Sequence, residues 1–278
     1  MKAIVAIGLG AGLIALLAGC VSQEYKDERQ FVKLLEEGDK HNAERQFDLA
    51  VDCYSKAIEM LPRLHPKDRI DFVPYGGRAA AYLYSNRPDL ALADCNTILA
   101  GSKHYKAYAL RGAIYFAEGQ YDKALADANA AIAGRPTTGL GYWVRGMVYS
   151  VRDEYAKAIP EFTTAIENYK KMRNAPEKLS LHYGTLMVNE QDGSAATYLQ
   201  RGTAYAQSKA YDKALADFNA ALAADPNLAE AYLAKGFLFE DMGRKKEAVE
   251  AYREFLKHTP VDPAEIGVAK ARITALEK

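Results

Sequence analysis

The chain is short of several things that would narrow its chemistry. Among 278 residues there are three cysteines and one tryptophan, and 36 basic side chains are matched by 36 acidic ones. Three cysteines are too few to staple a fold, so a hydrophobic core has to hold it. Balanced charge leaves no basic stripe for a nucleic-acid backbone and no acidic tail. The five histidines, His41, His65, His104, His182 and His258, form no metal-spaced pair. No Ser-His-Asp arrangement, glycine-rich phosphate loop or clustered carboxylate pair stands out, and Gly139-Leu140-Gly141 only opens a repeat. The sequence therefore offers no catalytic residue, metal site or cofactor, and reads as a non-enzyme.

What is abundant sits in fixed places, beginning at the N-terminus. Met1-Lys2 carries one positive charge, Ala3–Ala18 is apolar apart from glycines, and Leu17-Ala18-Gly19-Cys20 ends the run before polar Ser22-Gln23-Glu24. A spanning helix needs about 20 apolar residues, so the segment is slightly short to cross a bilayer. Its Leu-Ala-Gly-Cys ending resembles a bacterial lipoprotein signal. The resemblance implies removal of residues 1–19 and acylation of Cys20. Val21 stands where an Asp marks inner-membrane retention, which implies the outer membrane, facing the periplasm. Residues 20–30 would then be the lipidated cysteine and a polar tether.

Internal repetition dominates the rest. Tyr108-Ala-Leu-Arg-Gly-Ala-Ile-Tyr115, Tyr142-Trp-Val-Arg-Gly-Met-Val-Tyr149 and Tyr198-Leu-Gln-Arg-Gly-Thr-Ala-Tyr205 nearly superimpose. With their glycine at repeat position 8, repeats start near 31, 72, 105, 139, 195 and 229, and the steps 105 to 139 and 195 to 229 are both 34 residues. Position 8 reads Gly38, Ala79, Gly112, Gly146, Gly202 and Gly236; position 20 is Ala50, Ala91, Ala124, Ala158, Ala214 and Ala248. Positions 4, 8 and 11 share one helical face and 20, 24 and 27 another, so the pattern predicts paired helices in close contact. Glycine inside a helix costs about 1 kcal/mol against alanine, so its recurrence has a packing reason.

Punctuation agrees. Gly119 and Gly243 fall at position 15, where a helix ends left-handed. Asp48, Asp89, Asp122 and Asp212 open the second helix, where an acidic side chain can cap it. Pro62, Pro136, Pro226 and Pro260 at position 32 are read as stops. The pattern resembles the tetratricopeptide repeat over residues 31–262. The resemblance implies an all-α, right-handed α-solenoid of about six helical hairpins. Residues 263–278, with Asp262-Pro263 as N-cap and first residue, read as a C-terminal capping helix.

Two steps are long: 31 to 72 by a loop near Leu64–Asp68, and 139 to 195 by an insertion at 171–194. Within the latter, Tyr183-Gly184-Thr185 between apolar alternations reads as a small hairpin or an extra helical turn. Cys53 and Cys95 occupy adjacent repeats as small buried hydrophobes, or as a disulfide where thiols are oxidised.

Two residue sets are candidates for action. Position 7 carries Arg78, Arg111, Arg145 and Arg201, and position 23 of the same repeats carries Asp94, Asp127, Glu161 and Asp217. Acid appears at 23 only where 7 is arginine, which favours intra-repeat ion pairs over anion recognition. The resemblance assigns a partner-binding groove to first-helix positions that here hold Val73, Leu83, Tyr84, Phe116, Trp143, Met147, Leu199 and Phe237. Such an apolar groove fits an amphipathic helix or extended apolar segment, or is filled by the chain itself. The expected role is a membrane-anchored scaffold for protein partners in cell-envelope assembly, secretion or pilus-type biogenesis. The alternatives are a periplasmic chaperone or pilotin-like carrier of an apolar client, and a regulator of a cell-wall enzyme.

Overall fold

The computed structural model describes residues 22–64, 72–173, 190–258 and 263–278, and every regular element among them is helical. These residues group into two compact units, the first ending at Ala107 and the second starting at Tyr108. The first unit contains α1 (Gln23–Ala43), α2 (Phe47–Leu64), α3 (Phe72–Tyr84) and α4 (Pro88–Gly101). To the second belong α5 (Tyr105–Ala117, from Tyr108 on), α6 (Tyr121–Gly134), α7 (Gly139–Val151), α8 (Tyr155–Arg173), α9 (Glu190–Gln207), α10 (Tyr211–Ala224), α11 (Ala229–Asp241), α12 (Lys245–His258) and α13 (Pro263–Leu276). In each unit consecutive helices pack as hairpins, and each hairpin stacks on the next, which is solenoid construction.

The hairpins close because small residues meet. All six position-20 alanines have no exposed surface, and position 8 is buried throughout. The glycines at position 8 answer to what lies at position 24. A Cβ on Gly38 would come within 2.8 Å of the Tyr54 ring, on Gly146 within 2.7 Å of Phe162, on Gly202 within 2.7 Å of Phe218, and on Gly236 within 2.3 Å of Tyr252. Where position 24 is the smaller Ala128 or Cys95, the pressure eases: a Cβ on Gly112 would come no closer than 3.3 Å to anything, the Ala124 carbonyl being nearest, and the remaining repeat has Ala79. Tyr54 is also pressed on by Gly77, at 2.4 Å from a would-be Cβ. Its buried hydroxyl donates to Asp39 Oδ1 at 2.6 Å and accepts from Asn42 Nδ2 at 3.3 Å. Burial, then the Asp39 charge, drives that phenol far above its ordinary value.

Each first helix ends the same way. Arg45, Asn86, Gly119, Asp153, Lys209 and Gly243, position 15 of the six repeats, all have φ between 58° and 74°. The next N–H returns to the position-11 carbonyl at 2.8–2.9 Å, as in Gln120 to Tyr115 and Ala210 to Tyr205. Only two of the six are glycine, so four repeats hold a left-handed residue with a Cβ.

Several expectations are corrected. The position-18 aspartates do not cap: Asp89, Asp122 and Asp212 are second residues of their helices, and Arg87, Gln120 and Ala210 in the cap position make no side-chain cap bond. Near the positive helix end, Asp48 and Asp122 instead pair across repeats with Arg87 and Arg152, each at 2.7 Å. Pro62 does not stop its helix, since α2 continues to Leu64; Pro136 and Pro226 do follow helix ends. A polar tether over 20–30 gives way to helix from Gln23, with Ser22 Oγ accepting the Tyr25 N–H at 3.2 Å. The insertion at 171–194 starts and ends as extended helix, α8 reaching 19 residues and α9 18. Its Tyr183–Thr185 centre, like Cys20, Asp262 and Pro260, lies outside the described residues. Cys53 and Cys95 are buried thiols, not a disulfide, and desolvation raises the Cys53 pKa.

Overpacking a core costs about 1–3 kcal/mol. Gly236→Ala should therefore lose stability in that range by urea unfolding, whereas Gly112→Ala, with helix propensity in its favour, should stay within about 1 kcal/mol of wild type. Equal losses would show that the position-24 ring is not what selects glycine. Lys209→Gly should raise stability by about 1 kcal/mol by relieving a left-handed residue; a lower urea midpoint would contradict that account.

Candidate functional site

The position-7 cations come first because they decide what the first-helix face can recognise. Arg78 grips Asp94 through two parallel bonds, Nε–Oδ2 at 2.8 Å and Nη2–Oδ1 at 2.7 Å. Arg111 does the same to Asp127 at 2.7 and 3.0 Å, and Arg201 to Asp217 at 2.7 Å twice. Arg145 reaches the longer Glu161 by a single Nη2–Oε2 contact of 2.9 Å. The remaining fork nitrogen points backward along the array. Arg78 Nη1 donates to Ser55, Arg145 Nη1 to Asn129 and Arg201 Nη1 to Thr163, at 2.9–3.0 Å. Lys235, whose repeat has Ala251 at position 23, donates to Asn219 at 2.9 Å. Without a carboxylate beside it, burial lowers the Lys235 pKa.

Each guanidinium also stacks on tyrosines. Arg78 lies 5.7 Å from both Tyr75 and Tyr82, and Arg201 5.6 and 5.9 Å from Tyr198 and Tyr205. Lys123, Lys157 and Lys213 also lie over the Tyr115, Tyr149 and Tyr205 rings, at 5.3–5.6 Å. The acceptors Ser55, Asn129, Thr163 and Asn219 all occupy repeat position 25. Hydropathy alone gave it no reason to be singled out.

The groove candidates divide between the units. In the first, Val73 and Leu83 are half-buried on α3, and Tyr84, 41% exposed, stacks on Phe47 with ring centroids 5.4 Å apart. In the second, α7 touches α9 and α9 touches α11, so first helices share a face. Phe116 meets Trp143 edge-on at 6.4 Å and Tyr121 at 5.6 Å. Trp143 and Met147 pack beside buried Phe162 and Ala204, and Leu199 beside Phe218 and Leu238. These side chains are half-buried: their inner edges belong to the stacking core and their outer edges face solvent. Phe237 is 37% exposed and sits edge-on to Tyr252 at 5.6 Å. Among the described residues no cluster of three His, Cys, Asp or Glu is placed to hold a metal ion. No described helix is long and apolar enough to cross a membrane.

Comparison with known proteins decides the nature of the array. A tetratricopeptide repeat model matches residues 105–137 and 229–261, and a TPR repeat model matches 202–243. Residues 105–137 and 202–261 match tetratricopeptide repeats. The Small glutamine-rich tetratricopeptide repeat-containing protein 2 of Saccharomyces cerevisiae is 30% identical over 91 residues, covering 33% of this chain and 26% of that protein. The crystal structure of the APC/C hetero-tetramer Cut9-Hcn1 is similar with a TM-score of 0.71 at 19% identity, covering 88% of this chain and 42% of that one. A thermophilic TPR protein of Thermus thermophilus gives 0.52 at 24% identity, covering 71% and 96%. The chain thus spans about a quarter of the yeast relative and about two-fifths of the Cut9-Hcn1 chain. At these identities the structural likeness speaks to the fold: an all-α TPR solenoid.

Within that fold the arginines are internal fasteners of the TPR array. Removing one partner of such a pair strands the other, at a cost of roughly 3 kcal/mol for a site this covered. Asp217→Leu and Arg201→Leu should each lose about that much, and the double variant distinctly less than the sum of the two. Additive losses in a double-mutant cycle would mean that the pair is not coupled.

Proposed function

We propose that the protein is a lipid-anchored TPR scaffold, held at Cys20 in the bacterial outer membrane and recruiting protein partners from the periplasm for envelope assembly, secretion or pilus-type biogenesis. TPR arrays are protein-interaction modules, and the observation that carries this reading is the first-helix face of the second unit. There Phe116, Trp143 and Met147 present half-covered apolar edges from neighbouring helices. The cations beside that face are already engaged by Asp127, Glu161 and Asp217. Such a surface recognises apolar side chains, as an amphipathic helix or an extended apolar segment supplies, and its three arginines are already committed to carboxylates within the array.

The anchor brings the array close to the bilayer. Helix begins at Gln23, so only two residues separate it from Cys20. Acylation of one cysteine by several chains holds firmly, at about 0.8 kcal/mol for each buried CH₂.

Both halves are open to test. Cys20→Ser should shift the protein from the membrane to the soluble fraction; retention in membranes would rule out the lipid anchor. Pull-down from detergent-solubilised membranes should lose partners with Phe116→Ala/Trp143→Ala, while circular dichroism confirms that the variant remains helical. Undiminished recovery would place binding on another surface.

A further inference from the structure

Repeat six differs from the others at the end of its first helix. Positions 12 and 13 are uncharged in the three preceding repeats, at Phe116-Ala117, Ser150-Val151 and Ala206-Gln207, but become Glu240-Asp241 in repeat six. One turn earlier on the same face is Phe237, among the more exposed large apolar side chains. An aromatic face beside two carboxylates is matched to a guanidinium or ammonium group, which gains from the ring and from the acid together.

The chain demonstrates that match internally. Arg272 of α13 extends its guanidinium to 6.0 Å from the Phe237 ring centroid, with Nη1 at 3.4 Å from Glu240 Oε2. The contact is long and the Arg272 side chain is 53% exposed, whereas Glu240 is held in place by the Tyr252 hydroxyl, which donates to its other oxygen. The carboxylate is therefore fixed and the arginine loosely seated. Asp241 beside it is exposed.

We infer that Phe237, Glu240 and Asp241 form a cation-recognising end to the apolar face, occupied in the resting protein by Arg272. The partner that fits is an apolar or amphipathic segment carrying a basic side chain at the end lying on repeat six. This inference rests on the proposed binding face and adds polarity to it. Arg272 acts as a displaceable internal substitute for the partner's cation. Because α13 is held mainly through Ala269, Ile273 and Leu276 against the repeat-six core, displacement of Arg272 leaves the helix docked.

The test uses the mature full chain and two fluorescein-labelled amphipathic Leu/Ala peptides, identical except that one ends in Arg-Arg and the other in Glu-Glu, read by fluorescence polarisation. The Arg-Arg peptide should bind about tenfold more tightly at low salt, with the difference shrinking as salt is raised. Arg272→Ala should strengthen Arg-Arg binding by about threefold by clearing the site. Phe237→Ala/Asp241→Asn should equalise the two peptides while both still bind. Equal affinities in the wild type, or Arg272→Ala leaving Arg-Arg binding unchanged or weaker, would overturn the inference and leave the binding face standing. Failure of both peptides to bind would remove the face itself, and the cation site with it.

Discussion

The array depends on how closely two antiparallel helices approach at repeat positions 8, 20 and 24. Position 20 is alanine without exception, and position 8 shrinks to glycine where position 24 grows into a ring. In the four repeats with a ring, a tyrosine or phenylalanine from the second helix lies on bare backbone of the first. Interiors are packed nearly as densely as organic crystals, so the exchange leaves no slack for an added methyl. Everything further out, including the spacing of the arginines and the line of first-helix side chains, is set by that separation.

Once the separation is fixed, polar groups at the seam have to be satisfied, and the arginine fork does this with unusual completeness. Two nitrogens close the hairpin on an aspartate and a third reaches the preceding repeat, while tyrosines at positions 4 and 11 cover the flat faces. Planarity matters here, because lysine presents one point charge where arginine presents a rigid set of donors. Glu161 shows the tolerance of the arrangement: one extra methylene replaces the paired contact with a single one and leaves Arg145 Nε buried without an acceptor.

Much of this was legible in the sequence, because repetition supplies its own control. One repeat shows a glycine; six show that a small residue at positions 8 and 20 is a rule of the helix pair. Arg78 with Asp94 and Arg201 with Asp217 could be paired on paper, since acid at position 23 vanishes wherever arginine leaves position 7. What escaped was chemistry that local pattern does not rank. An aspartate two residues into a helix looks like a cap, yet Asp48 and Asp122 satisfy arginines of the following repeat. Pro62 looked like a terminator, but a helix stops only when its neighbours also stop supporting it, and α2 runs past it. Left-handed residues were foreseen at Gly119 and Gly243 and missed at Arg45, Asn86, Asp153 and Lys209, where the turn geometry overrides residue preference. The groove candidates Trp143 and Leu199 also belong to the stacking core, and that share depends on Ala204 and Leu238, which no local pattern places beside them.

Repeat six shows how the same constraints meet a different neighbour. Where α13 packs on repeat six, position 25 is Arg253, which pairs at 2.6 Å with Glu277 just after that helix. The position-23 carboxylate becomes Ala251, buried with Ala269 of that helix in one apolar cluster. Acid there would be desolvated against an alanine surface, so it is absent, and Lys235 is left to a neutral amide as its acceptor. The terminal helix has thus rewritten two positions of the repeat it covers. Substitutions that look like decay of the pattern are its adaptation to a different neighbour, which marks α13 as part of the folded array and Glu240 and Phe237 as the place where repeat six and α13 meet.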